Sequence, residues 1–366
     1  MQQLPTVVLS MKFRLIPALV IGITLSIVTS EIVYFGYTPK YGPIIFSRNA
    51  FESMFDHDVF KYRLLSQHLL FGLDDWLVEH IFSSKNRKPV LNPNKNNHFY
   101  VALYYLNTFS LCLTTIIVVL LLRLKRAFIL TDSERYLFLY LTILIINFSQ
   151  FVVSPYDVSS YFFQLLIFYL FLSFSDKDFY FTIGCISALI FISTLNRESS
   201  ALSISLASIL LYKKLGISQK TILSTLILLA FFAVTYVGLR YIVVDPQSVH
   251  FTYKDAGNLL ANINIIGLLF WAIFFCLSLG ISGSTENRKA IFVYHLLSLP
   301  YIIVCFRNGV LWEVRLYVPL LLSSLFISKL NPAVYKFNLD NLLKINPFTK
   351  NFKETFQKKS IINQPK

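Results

Sequence analysis

Residues 99–122 read Phe99-Tyr-Val-Ala-Leu-Tyr-Tyr-Leu-Asn-Thr-Phe-Ser-Leu-Cys-Leu-Thr-Thr-Ile-Ile-Val-Val-Leu-Leu-Leu122, with no charge until Arg123. A bilayer core of ~30 Å needs about 20 apolar residues in a helix. The stretch therefore predicts a membrane span. Working outward, comparable runs occupy roughly 13–35, 136–153, 158–174, 179–195, 199–212, 221–244, 259–280, 290–306 and 314–328. Backbone groups in lipid must bond within their own segment, so all ten runs are expected to be helical. The runs at 199–212 and 314–328 are short, which leaves nine or eight full crossings if they are re-entrant. The expected fold class is an all-α polytopic integral membrane protein with about 10 transmembrane helices.

Composition agrees. The 366 residues are 55% hydrophobic and only 14% charged, against ~25% charged in soluble domains. A soluble multidomain chain, a disordered chain, a disulfide scaffold and a collagen-like fibre are excluded. The net charge of +14 raises nucleic-acid binding. No basic run interleaved with aromatics and no nucleic-acid module supports it, so nucleic acid is excluded as a partner. Cys112, Cys185, Cys276 and Cys305 lie in or at the ends of apolar runs without a CxxC pair, and read as buried small hydrophobes.

Charge orients the chain. With the N-terminus inside, the inner segments hold 20 basic and 7 acidic residues, and the outer ones 13 and 12. Lys and Arg collect on the cytoplasmic side, so both termini are expected there, in a bacterial inner membrane by default. Residues 1–328 form the transmembrane domain. Within it, residues 36–98 make a long first outer loop. Residues 329–366 form a basic cytoplasmic tail, drawn toward anionic lipid. In the outer loop, Phe60, Leu64, Leu65 and Leu69 recur at helical spacing within Val59–Phe71, which predicts a helix on the membrane surface. Tyr34, Tyr37, Tyr41, Tyr100 and Tyr104 fit an outer aromatic belt.

Polar chemistry gathers on the outer side. Asp56-His57-Asp58 places two carboxylates where they can share a divalent cation, or where one can act as a base tuned by the other. A solvated turn is the structural alternative. Asp74-Asp75, beside Trp76, is a second acidic pair. Arg197 and Glu198 sit between two apolar runs with almost no loop, and Glu313 and Arg315 frame the start of the last run. Charges so placed are paired, hydrated or used, and for Arg197 and Glu198 a mutual or interhelix ion pair that fixes a hairpin is the structural alternative. Arg grips phosphate through two parallel hydrogen bonds, so Arg63, Arg197 and Arg315 are candidates for holding an anionic headgroup. Snorkelling to the interface is their structural alternative. Asp157, after Pro155, reads as the N-cap of the next helix. Nucleotide-binding and metal-binding motifs are absent, and no cofactor is implied beyond a divalent cation at Asp56 and Asp58.

The many-span body, the long first outer loop with its helix, Asp56-x-Asp58 and the outer arginines Arg197 and Arg315 resemble the GT-C class of polyprenyl-phosphate-dependent membrane glycosyltransferases. Thr194-Leu195-Asn196-Arg197-Glu198 and Trp312-Glu313-Val314-Arg315-Leu316 look similar to stretches in uncharacterised bacterial envelope proteins of this type. The resemblance implies sugar transfer from a polyprenyl-phosphate-linked donor to a glycan or other hydroxyl acceptor outside the cytoplasm. It implies Asp56 or Asp58 as base, and Arg63, Arg197 or Arg315 against the lipid phosphate, with Glu198, Glu313 and Asp157 in support. Asp56 lies about twenty residues beyond Phe35, farther from the first span than is usual in that class.

Two other functions use the same outer face: a non-enzymatic lipid-linked glycan transporter or assembly subunit, and a polysaccharide polymerase. Transport calls for polar groups in mid-span. The deepest here are Asn107, Asn147, Gln164 and His295, which read as interhelical hydrogen-bonding residues.

Overall fold

The computed structural model describes residues 12–37, 47–57, 59–82, 98–151, 153–174, 176–243, 262–308, 311 and 313–335. Among them the regular elements are helices, with no strand; one isolated backbone bridge joins Phe128 to Leu330. In chain order they are α1 Leu15–Glu31, continued by a π turn over Ile32–Tyr37, α2 Arg48–His57, α3 Leu64–Leu77, α4 His98–Arg123, α5 Asp132–Phe148, α6 Asp157–Ser173, α7 Phe179–Asn196, α8 Ala201–Leu215, α9 Gln219–Ile242, α10 Asn262–Gly280, α11 Thr285–Leu297, α12 Leu299–Asn308 and α13 Val318–Ser328.

Within the described residues every apolar run contains a helix, but the helices are unequal. Four segments, Leu15–Gly36, His98–Arg123, Phe179–Asn196 and Gln219–Ile242, are long and apolar enough to cross a membrane. A fifth arises if α11 and α12, bent by 53°, count together. Pro300 in the first turn of α12 lacks an N–H and breaks that run. Asp157–Ser173, Asn264–Gly280 and Val318–Ser328 are apolar but shorter. Among the described residues, length and composition alone thus support four or five membrane-capable helices, fewer than the ten crossings expected.

The chain tells its helices where to start and stop. Thr131 and Glu134 form a capping box before α5, the Thr131 N–H donating to Glu134 Oε2 at 2.8 Å and the Glu134 N–H to Thr131 Oγ1 at 3.3 Å. Ser218 and Ser284 cap α9 and α11. Gly216, at φ 66°, ends α8 in the left-handed region where a side chain is disfavoured. In α1 the buried face is Ala18, Gly22, Ser26 and Ser30. This stripe of small residues at four-residue spacing brings backbones close, as helices packed in lipid require. A Cβ on Gly22 would lie 2.7 Å from Thr115 Cγ2 of α4, and Ser26 Oγ bonds Thr115 Oγ1 at 2.8 Å.

Contacts divide the bundle into two ends. At one end Lys213 Nζ donates to Asn287 Oδ1 at 2.7 Å, Asn287 Nδ2 donates to the Leu330 carbonyl at 2.7 Å, Lys329 pairs with Glu134, and Tyr335 Oη donates to the Leu172 carbonyl. At the other end lie Arg63, Asp157, Arg197, Glu198 and Arg315. The segments that charge counting assigned to the two sides of a membrane thus separate to opposite ends. Lys329–Tyr335, expected to belong to the tail, pack on the bundle; residues 336–366 lie outside the described residues.

Several expectations need correction. The loop helix α3 starts at Leu64, after a 3-10 turn over Val59–Tyr62, and runs to Leu77. Its buried face is Ser66, Leu70, Asp74 and Leu77, and Leu69 is 49% exposed. Polar Ser66 and Asp74 find bonded partners on the bundle side, which shifts the buried stripe by one position. Tyr34, Tyr100 and Tyr104 are buried with Phe51, Leu70, Leu77 and Phe99 in a second small core under α3. They do not line a belt, because the loop helices cover them. Tyr41 and the side chain of Tyr37 lie outside the described residues. Cys276 is exposed and Cys112 and Cys185 are half-buried, while Cys305 is buried; all four are free thiols. Three of the mid-span polar groups bond between helices as expected, Ser30 Oγ donating to Asn147 Oδ1, Gln164 Nε2 to Ser323 Oγ, and His295 Nε2 sharing a bond with Ser324 Oγ, while Asn107 Nδ2 donates to the Ser154 carbonyl in the connection before α6.

Candidate functional site

The site forms where α7 gives way to α8. Helix α7 ends at Asn196, Arg197 is extended (φ −163°, ψ 144°), and a 3-10 turn over Glu198–Ser200 leads into α8. Successive side chains of an extended stretch point to opposite sides. Arg197 and Glu198 accordingly serve different partners and do not pair with each other. Arg197 Nη1 donates to Asp157 Oδ1 at the start of α6. Glu198 Oε2 accepts from Arg63 Nε and lies 3.2 Å from Arg63 Nη2, at the entry to α3.

Asp157 is fully buried and bridges two arginines, since its Oδ2 also accepts from Arg315 Nη1 at 3.0 Å. It is not the expected N-cap. Tyr156 holds that position without a side-chain bond, and Asp157 lies inside the first turn. The arginines outcompete the orphan backbone N–H groups because a charged donor bonds a carboxylate more strongly than a neutral one. Arg315 Nε and Nη2 both donate to Glu313 Oε2, at 2.9 and 2.7 Å. The fork of Arg315 is thus engaged by two carboxylates.

Neutral groups tie the segments together. The Tyr156 ring lies between Arg63, 3.9 Å from its centroid, and Arg197 at 5.7 Å. Buried Asn196 accepts from Ser66 Oγ of α3 and, at 2.9 Å, from Ser159 Oγ of α6, and its Nδ2 donates to the Tyr156 carbonyl at 3.0 Å. Arg315 and Leu316 are held by their carbonyls, which accept from Tyr161 Oη at 3.1 Å and Tyr301 Oη at 2.9 Å. Burial raises the Glu198 carboxyl pKa, but Arg63, a backbone hydrogen bond, Arg197 and Arg240 together hold the group below the ordinary glutamate value.

Six residues singled out in the sequence, Arg63, Asp157, Arg197, Glu198, Glu313 and Arg315, therefore meet in one network. Asp56 lies in α2, but its side chain and all of Asp58 are outside the described residues. Sequence reasoning missed Tyr156, Asn196 and Arg240. Arg240 lies 3.5 Å from the centroid of the Tyr236 ring and 4.6 Å from that of Tyr62. The Tyr236-x-x-x-Arg240 spacing near the end of a span was its only signal.

Comparison with protein-family models, curated proteins and solved structures finds no match.

A second cluster sits on the loop helices. Fully buried Asp74 accepts from Arg48 Nη1 at 3.1 Å and lies 2.6 Å from His98 Nδ1, while Arg48 also pairs with Asp75 and Glu52. This pins α2 and α3 to the start of α4. Among the described residues no three His, Cys, Asp or Glu side chains gather as metal ligands.

Proposed function

We propose that the protein is a polytopic membrane glycosyltransferase of GT-C type. In this reading the chain crosses a bacterial inner membrane about ten times, with both termini cytoplasmic and the arginine network on the far side. Its donor is a sugar on a polyprenyl phosphate, and its acceptor a hydroxyl of a glycan or other envelope molecule. The convergence of Arg63, Arg197 and Arg315, from segments up to 252 residues apart, at one end of the bundle carries the reading. Short helices are compatible with it because neighbours shelter them, and antiparallel succession puts all the relevant connections at that end.

In the reaction, the acceptor oxygen attacks the anomeric carbon. Its proton passes to the carboxylate of Asp56 or Asp58. The bond from the anomeric carbon to the phosphate oxygen breaks, and the electron pair leaves with the lipid phosphate. The arginine network opposes that developing charge.

The test is release of polyprenyl phosphate from polyprenyl-phosphate-linked hexoses by the full chain in proteoliposomes. The proposal expects release that depends on an acceptor, and its loss in Asp56→Asn or Asp58→Asn protein that still inserts. Full activity in both variants places the base elsewhere. Binding of lipid phosphate without turnover of any donor replaces the enzyme with a non-enzymatic carrier or assembly subunit.

A further inference from the structure

The network has a sealed centre and an accessible rim. Asp157 and Arg197 are enclosed, with side chains 0% and 6% exposed, whereas Glu198 is 25% exposed. Four guanidinium groups (Arg63, Arg197, Arg240, Arg315) face three carboxylates (Asp157, Glu198, Glu313). Among the described residues Arg240 has no carboxylate in salt-bridge contact. It feels Glu198 only through space, and Nη1 makes a single 3.5 Å bond to the Tyr236 carbonyl. Its guanidinium stacks on Tyr236 and Tyr62. Stacking fixes the plane of the group and leaves its N–H edge available for an anion.

Tyr62, on whose ring Arg240 sits, is covalently next to Arg63, which pairs with Glu198 at 3.2 Å, and Glu198 also feels the charge of Arg240. In the part of α9 that leads up to Arg240, Leu226, Val234 and Val237 are apolar and uncovered. A phosphate arriving at Arg240 therefore meets a surface suited to a hydrocarbon chain.

We propose that Arg240 and Arg63, held by Tyr62, Tyr236 and Tyr156, form the phosphate clamp of the site, and that Glu198 is its built-in competitor. The clamp takes a phosphate monoester or diester on a lipid, and this rests on the lipid-phosphate reading of the network given above. The Arg63–Glu198 pair lies at the edge of the network, where its side chains are 12% and 25% exposed and an incoming anion can reach it. A phosphate oxyanion engaging both arginines displaces the carboxylate from Arg63. Arg315, whose fork is filled by Glu313 and Asp157, positions the wall and does not grip the ligand.

The experiment uses the full chain in phosphatidylcholine nanodiscs, titrated with a polyprenyl phosphate, with the prenol of equal chain length, and with inorganic phosphate alone. Native mass spectrometry reads occupancy, and thermal unfolding checks that each variant is folded. Wild type is expected to prefer the phosphate over the prenol by ~10-fold or more, the scale of one charge-assisted bidentate contact. Arg240→Gln removes most of that preference, Arg240→Lys keeps part of it, and Glu198→Gln raises phosphate affinity severalfold. Arg126→Gln, at an exposed position on the other end of the bundle, leaves binding unchanged.

An Arg240→Gln protein that binds like a discriminating wild type overturns the clamp while sparing the lipid-phosphate reading. A wild type that fails to discriminate phosphate from prenol overturns both. Loss of binding in Arg126→Gln to the same extent reduces the effect to general surface charge and also overturns the clamp. Inorganic phosphate binding as tightly as the prenyl phosphate overturns the assignment to a lipid.

Discussion

Arg315 Nη1 donates to Asp157 Oδ2 at 3.0 Å across 158 residues of chain. The bond joins the start of the last helix to the start of α6, and Arg197 completes the bridge from α7. One buried carboxylate thus fixes three connections at the same end of the bundle.

Asp157→Ala leaves Arg197 enclosed without its counter-charge. Removing one partner of a buried pair costs ~3–5 kcal/mol. Thermal unfolding in detergent should show a large drop in Tm. A variant as stable as wild type would mean that solvent reaches Arg197 freely.

Asn196→Ala should unfasten α3 from the bundle. The substitution deprives Ser66 and Ser159 of their acceptor and the Tyr156 carbonyl of a donor. A buried polar group left unpaired costs ~1–3 kcal/mol. Hydrogen exchange should rise across Leu64–Leu77 and stay unchanged in α5, which the bonds do not touch. Uniform protection would assign α3's placement to Leu70 and Leu77 alone.

Acid should loosen the rim. Glu198 is held below the ordinary glutamate value, so between its folded and unfolded pKa the unfolded chain binds more protons. Its stabilisation is present in full above the unfolded value of ~4.3 and is lost as pH falls through the folded one. Glu134, lowered chiefly by its bond from the Thr131 backbone, acts in the same direction. Tm should hold from neutral pH to about pH 5 and decline below pH 4. Glu198→Gln should flatten part of that decline; an unchanged slope would exclude Glu198 as a contributor.

The two ends of the bundle should face opposite compartments. In protein freed of its four cysteines, Glu79→Cys and Lys177→Cys place thiols at exposed positions on opposite ends. A membrane-impermeant maleimide added to intact cells is expected to label position 79 at once and position 177 only after permeabilisation. Labelling of both from one side would break the alternation of the helices.

Much of the site was legible before the fold because charge is scarce in this chain. Arg197, Glu198, Glu313 and Arg315 stand out between apolar runs, where only paired or functional charges persist. Their partners were not legible. Arg197 and Glu198 are neighbours and invite a mutual pair, yet one extended residue sends them to different helices. Asp157 looked like a cap because its local context allows one, and only the approach of two arginines from distant segments changed its role. Arg240 passed unnoticed because a lone arginine near a helix end ordinarily snorkels.

The sequence by itself determined that this is a helical, membrane-capable chain, where its apolar helices lie, and which connections share an end, since hydrophobic length and charge asymmetry are properties of segments. Tertiary structure alone decided which charges meet, that Asp157 joins Arg197 to Arg315, and that α3 buries Ser66, Leu70 and Asp74. Those outcomes depend on the rotation and depth of each helix against its neighbours. Close packing of small residues, as at Gly22 against Thr115, sets both, and local sequence does not encode them.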